Sequence, residues 1–423
     1  MFSMYGESDM KKTGILFFVL VLFACFDESS VVRPSETYPE DPDFGWRKDD
    51  FVPVLDDSKT FGGLESIYHV GDRIVLVDNH WSSNQYTSPG SVTYTPRVFA
   101  SKIGSTHWDT LKSSEWIRYV YGDSTGLYAG TQFSGKVLKY DFDRGGWDEI
   151  YALPFDTTGY YNVYGIAVYN GRPVVCFAGY EDSTDRRSET IKLAMKMQTD
   201  TGWVDITYDY DSSREYPMQF HKGVELNGKL YTISGARGMW RYDGSWKRMA
   251  KIPIPSWATW VPAYDTSDIA LDIVVHKRKI YVIGEKSSSD VLEYDEALDR
   301  WNPIDSVIGT TDTPYGYLTY KNVPSNRFSL ASDGKHLFVA GSLPWPFVYM
   351  GDYGDPYGNE KKGWRKIYGN FCPRYICLAH GSSYGMVAVE DTLYVANTTA
   401  LLKFPLRDLD VVISDQKSYP SVE

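Results

Sequence analysis

The residues with catalytic potential in this 423-residue chain are sparse and do not converge. Gly381 to Gly385 reads GSSYG, the G-x-S-x-G spacing that can present a serine nucleophile. That spacing works on a sharp strand-to-helix turn with Asp and His partners, whereas here it feeds a strand-like alternating run. The seven histidines are scattered and lack the paired spacing of a zinc site. DFDRGG (141–146) starts like a calcium loop but has glycine in the third acidic position. GDYGDPYGNE (351–360) gathers Asp352, Asp355 and Glu360 in an enlarged turn and reads as a solvated loop. No metal or cofactor is expected. Cys176 lies in an apolar run and reads as a small buried residue. Cys372 and Cys377 flank Pro-Arg-Tyr-Ile, a spacing that leaves open either a small disulfide loop in an oxidising compartment or two free thiols.

What the chain has in quantity is rings: 34 Tyr, 19 Phe and 13 Trp, alongside 36 Gly and 21 Pro. Four tryptophans stand in loop-like stretches: Trp81 in NHWSSNQY, Trp257 and Trp260 in PSWATWVPAY, and Trp345 in LPWPF. Tyr86, Tyr160, Tyr161, Tyr180, Tyr264, Tyr315 and Tyr317 accompany them. Loops are normally polar, so large rings there either fold back as satellite clusters or form a platform. A flat apolar face with one polar tip suits sugar rings or protein hot spots. Trp116 and Trp240 fall within strand-like runs and read as core.

The elements that must hold these rings are short strands. A turn followed by an apolar strand recurs as VGDRIVLVD (70–78), GDSTGLYAG (122–130), YNGRPVVCFAG (169–179), LNGKLYTISG (226–235), HKRKIYVIG (276–284), SDGKHLFVAG (332–341) and VEDTLYVAN (389–397). An alternating run precedes each, so each pair makes a tight hairpin. The second strands end at Gly130, Gly179, Gly235, Gly284 and Gly341, or at Asp78–Asn79 and Asn397. These residue types tolerate positive φ, which predicts one shared backbone requirement. A third strand ending in Tyr-Asp follows in the clearer copies, as in VLKYD (137–141) and MWRYD (239–243). A tryptophan then opens a fourth. The unit is four antiparallel strands in about 40–60 residues, a propeller blade. The phased tryptophans are 46, 108, 147, 203, 246, 301 and 364. The last copy has no later tryptophan, and FGWRKDDF (44–51) supplies the missing strand. An all-β, seven-bladed β-propeller is therefore expected over 44–408, with the outer strand of its last blade supplied by the N-terminal segment.

The order of glycine break, x-Tyr-Asp, turn and tryptophan resembles kelch repeats, although those usually carry a Gly-Gly doublet where this chain keeps one glycine. The resemblance implies that binding sites sit on the face shared by the strand 2–3 loops and the blade-to-blade loops. Residues entering the inner strands there are Glu65, Tyr164, His221, Asp268, Arg327 and Tyr384. They are either satisfied neighbours around trapped water or a ligand ring. The candidate ligand-binding set is Trp81, Tyr161, His221, Trp257, Trp260, Tyr264, Arg327, Trp345 and Tyr384. Nothing here matches a sialidase-type Asp-box or a copper site of Tyr and His.

At the N-terminus, Lys11 and Lys12 precede an apolar run from Thr13 to Ala24, too short to span a bilayer. The ending LFAC resembles a bacterial lipobox, which implies lipidation at Cys25 and an outer-membrane or cell-surface location. The expected organisation is a signal peptide (1–24), a lipidated cysteine and tether (25–43), the propeller, and a tail (409–423). A net charge of −12 argues against nucleic-acid binding. The leading expectation is a non-catalytic, monomeric surface lipoprotein that binds a glycan or an envelope protein. The alternatives are a carbohydrate-active enzyme (glycosidase, lyase or sugar mutarotase) using acid/base residues at the channel mouth, and a pure assembly part.

Overall fold

A computed structural model describes residues 51–52, 64–78, 97–105, 107–154, 160–180, 191–209, 218–234, 238–252, 270–284, 290–306, 329–340, 347–349, 364–366, 383–397 and 400–406. The described chain is all-β and forms a propeller. Its strands fall into seven four-stranded sheets. Numbered in chain order, their innermost strands are Leu64–Val70, Ile117–Asp123, Tyr160–Tyr169, Phe220–Leu226, Ala270–His276, Ser329–Ser332 and Ser383–Val389. Every neighbouring pair of strands within a sheet is antiparallel. Each inner strand packs against that of the next sheet, and the seventh packs against the first.

The outermost strand of the seventh sheet is Phe51–Val52, which pairs Phe51 with Leu402 and Val52 with Leu401. Trp46 lies outside the described residues, as do the expected signal peptide, tether and C-terminal tail.

The hydrophobic core is divided among the seams between sheets. Second strands such as Arg73–Asp78, Gly126–Thr131 and Lys229–Ser234 are buried along almost their whole length because a neighbouring sheet covers each face. They therefore read as continuous apolar runs rather than alternating ones. One cluster joins Tyr231, Ile233 and Met239 of the fourth sheet to Ile273, Val282 and Trp301 of the fifth. Another joins Ile67 and Leu76 of the first sheet to Tyr394 and Leu401 of the seventh. Fully burying side chains of this size contributes roughly 1.5–3 kcal/mol each.

The phased tryptophans do one job at successive seams. The Trp203 indole N–H donates to Ile150 O at 3.1 Å, Trp246 to Ile206 O at 2.7 Å, and Trp301 to Ala250 O at 2.9 Å. Each ring opens its sheet's outer strand and reaches the end of the preceding sheet's outer strand. The indole nitrogens of Trp108 and Trp147 are buried without a hydrogen-bond partner among the described residues.

The hairpin turns between first and second strands have the expected chemistry. Asn170–Gly171 and Asn227–Gly228 take positive φ at both residues, as does Lys277–Arg278 at 45° and 60°. The glycines closing the second strands behave otherwise. Gly130 and Gly179 do not take positive φ. Gly130, Gly179 and Gly284 also sit at different registers, opposite Tyr119, Tyr161 and Ala270 respectively. A Cβ at Gly130 would lie 2.2 Å from Val163 Cγ1 on the next sheet's inner strand. The need at Gly130 is close approach between sheets, not left-handed backbone. Gly235 and Gly341 lie outside the described residues.

Candidate binding site at the channel mouth

The inner strands share a backbone device where they enter the sheets. Pairing with the second strand slips by one residue at Glu65, Arg118, Tyr164, His221, Leu271 and Tyr384. A bulge leaves one residue unpaired, kinks the strand and re-aims a side chain. Repeated at one level in six sheets, it sets an acid, two tyrosines, a histidine, an arginine and a leucine at equivalent backbone positions. Four of these were legible as residues entering the inner strands: Glu65, Tyr164, His221 and Tyr384. Arg118 was missed. In the fifth sheet the bulge falls at Leu271 rather than Asp268, which lies outside the described residues.

One step inward, the equivalent positions are Ser66, Tyr119, Gly165, Lys222, Asp272, Ser329 and Gly385. These hold the sheets together. Asp272 is buried; its Oδ1 accepts from the Lys222 ammonium and from Ile273 N at 2.8 Å, and its Oδ2 accepts from Leu330 N at 2.7 Å. One carboxylate thus ties together the fourth, fifth and sixth sheets, and both its oxygens are committed. Ser329 Oγ accepts from Met386 N at 3.1 Å. Gly165 has no side chain because a Cβ there would lie 2.0 Å from Phe220 O. Tyr119, at the same level one sheet earlier, donates its hydroxyl proton to His221 O two sheets away.

Among the described residues, two exposed rings of the mouth meet at the seam of the second and third sheets. Trp116 is 49% exposed and Phe133 is 38% exposed, their ring centroids 6.0 Å apart in an edge contact. Trp116 was expected in the core. It instead precedes the inner strand, where its carbonyl accepts from Gln132 N at 2.7 Å. Phe133 has φ of 69°, a conformation that costs an aromatic residue on the order of 1–3 kcal/mol. Its N–H donates to the buried Asn162 Oδ1 at 2.9 Å, and the next residue, Ser134, bridges to Tyr161. The third sheet thereby holds a strained loop that leaves a phenyl ring partly exposed. Beside it, the Arg118 guanidinium lies 4.4 Å from the centroid of the Tyr164 ring. Tyr161, Tyr164 and His221 are half-buried.

Of the expected ligand set, Tyr161 and His221 are placed near this seam and Tyr384 forms the seventh sheet's bulge. Trp81, Trp257, Trp260, Tyr264, Arg327 and Trp345 lie outside the described residues, as do Cys25, Cys372 and Cys377. Trp240 is partly buried against Tyr208, in keeping with a packing role. Cys176 is fully buried beside Phe220, and burial pushes its thiol up to about 12, so it is inert at neutral pH. Among the described residues no group of His, Cys, Asp and Glu is arranged to hold a metal ion.

No family model matches the chain, and no curated protein sequence matches it. Solved structures do resemble it. A catalytically inactive virginiamycin B lyase from Staphylococcus aureus, with quinupristin, aligns at TM-score 0.52 and 11% identity, over 83% of this chain and 98% of that one. U3-55K aligns at TM-score 0.50 and 9% identity, over 86% of this chain and all of that one. At such identities the likeness is one of fold.

Proposed function

We propose that this chain is a non-catalytic, lipid-anchored surface protein whose seven-bladed, kelch-like propeller binds a glycan or an envelope protein through aromatic residues at the mouth. One observation carries the proposal: the second and third sheets hold Phe133 in a strained conformation that leaves its ring partly exposed beside Trp116. Strained backbone persists where the surroundings enforce it, here through the bond from Phe133 N–H to the buried Asn162, and both rings keep an exposed edge for a ligand. The seven sheets, the cycle of packed inner strands and the indole latches support the seven-bladed form. The LFAC ending supports the anchor, and Cys25→Ala should abolish incorporation of labelled palmitate.

The test is a glycan panel together with capture of envelope proteins, run on wild type, Trp116→Ala and Phe133→Gly. Both variants should weaken binding at least tenfold while melting stays within a few degrees of wild type. Phe133→Gly should melt at or above it, because glycine adopts φ of 69° without strain. Binding unchanged in both variants would remove the platform.

A second reading, a carbohydrate-active enzyme, is favoured by His221 standing in the bulge ring. Acid/base work there needs a partner within hydrogen-bond reach. Asp272 is an unsuitable base with both oxygens already committed. Turnover of any panel glycan that is lost in His221→Ala would establish this reading.

A further inference from the structure

We infer that the preferred ligand of the mouth is a sugar bearing a carboxylate, stacked on Trp116 with its acid group on Arg118; this rests on the glycan reading above and narrows it. Three features of the seam carry it. First, Arg118 is exposed, and its described contact is the face of Tyr164, 4.4 Å from the ring centroid to the guanidinium carbon. A guanidinium stacked on a ring is held in place while its N–H groups stay free at the edge. Those donors form a planar fork that matches a carboxylate in bidentate fashion. Second, the acid nearest in sequence is already neutralised. Glu115 accepts from the Lys136 ammonium at 2.7 Å, and Lys136 also pairs with Glu149 at 3.2 Å. Third, Trp116 and Arg118 are two residues apart, so even with the bulge at Arg118 their Cα atoms lie within about 7 Å of one another. That is about the width of one pyranose ring carrying an exocyclic carboxylate.

The overall charge of −12 does not oppose this in physiological salt. At 0.15 M the Debye length is about 8 Å, so remote acids are screened and the local guanidinium decides. Long polyanions would meet more of the protein's negative surface than short ones. Short acidic oligosaccharides are therefore the fitting class.

The experiment is a titration of the full chain, in detergent and at 0.15 M salt, followed by tryptophan fluorescence and calorimetry. The probes are oligogalacturonate, oligomannuronate and sialyllactose, each paired with its methyl-ester form, which keeps the ring and removes the charge. Wild type should bind at least one acid about tenfold more tightly than its ester. Arg118→Gln should erase that preference by weakening the acid alone, Arg118→Lys should restore part of it, and Trp116→Ala should weaken acid and ester alike. Equal binding of acid and ester by wild type, or a preference that survives Arg118→Gln, overturns the acidic specificity and leaves the glycan platform standing. Binding of none of the six probes overturns the inference. If the glycan panel is also silent, the glycan reading falls with it.

Discussion

The rim and the mouth of this propeller repeat themselves in opposite ways. At the rim the residue recurs: in the first six sheets a tryptophan stands at the start of the outer strand, and Trp203, Trp246 and Trp301 bond to the preceding sheet's outer-strand end. At the mouth the backbone is constant and the residue varies, with one bulge occupied by Glu65, Arg118, Tyr164, His221, Leu271 and Tyr384. Where copies share a side chain, each solves the same packing problem. Where they share only a distortion and differ in chemistry, packing does not dictate the residue. This contrast assigns stability to the rim and underlies the proposal of recognition at the mouth.

The largest expected effect lies at the rim. Trp301 is buried between the fourth and fifth sheets. Trp301→Ala should cost about 3–5 kcal/mol in urea unfolding, from lost burial and an orphaned Ala250 carbonyl. A cost near that of an exposed substitution, below about 0.5 kcal/mol, would break the contrast.

Next comes the turn end of the inner strands. His276 is buried with Nδ1 2.8 Å from Ser332 Oγ, which also accepts from Gly334 N at 3.0 Å. Burial pushes its imidazole from 6.5 down to about 4. Between those values the unfolded chain binds a proton that the folded chain refuses. The stability contribution is therefore full above about pH 6.5 and lost as pH falls towards 4. His276→Gln keeps a polar partner for Ser332 but does not titrate. Melting between pH 7 and 4.5 should decline more steeply in wild type than in this variant; parallel declines would show that His276 is not the group responsible.

How far the molecule was legible depends on what each residue can mean. A tryptophan followed by an apolar residue three positions on has one use in this fold, so the outer strands were readable. A glycine has two uses, positive φ or absence of a Cβ, and sequence does not separate them. Gly171 serves the first, whereas Gly130 and Gly165 serve the second. The bulge ring was half-visible because entry to an inner strand can be counted from its hairpin. Arg118 was not visible, because WIRYVYGD reads as one uninterrupted strand and the slip at Arg118 is a tertiary feature. The same unbroken run placed Trp116 in the core, although its ring lies in solvent. The glycine distinction can be sharpened directly. Gly165→Ala should cost about 1–3 kcal/mol by pressing on the Phe220 carbonyl, whereas a substitution that stabilises would show that the inner strands do not approach this closely.

The smallest effect is a gain. Lys277–Arg278 takes the backbone form that Asn170–Gly171 and Asn227–Gly228 adopt with residues suited to it. Arg278→Gly should raise stability by about 1 kcal/mol without touching ligand binding, since the turn lies at the far end of the strands from the mouth. Impaired binding in this variant would mean that the two ends are coupled.

The most direct measurement is backbone hydrogen exchange across the whole chain, with and without the tightest ligand found in the panel. Recognition at the mouth predicts new protection concentrated in Trp116–Tyr119, Phe133–Lys136 and Tyr161–Gly165, with the turns at Asn170–Gly171 and Lys277–Arg278 unchanged. Protection centred on those turns, or along the tryptophan rim, would contradict the division of labour between rim and mouth.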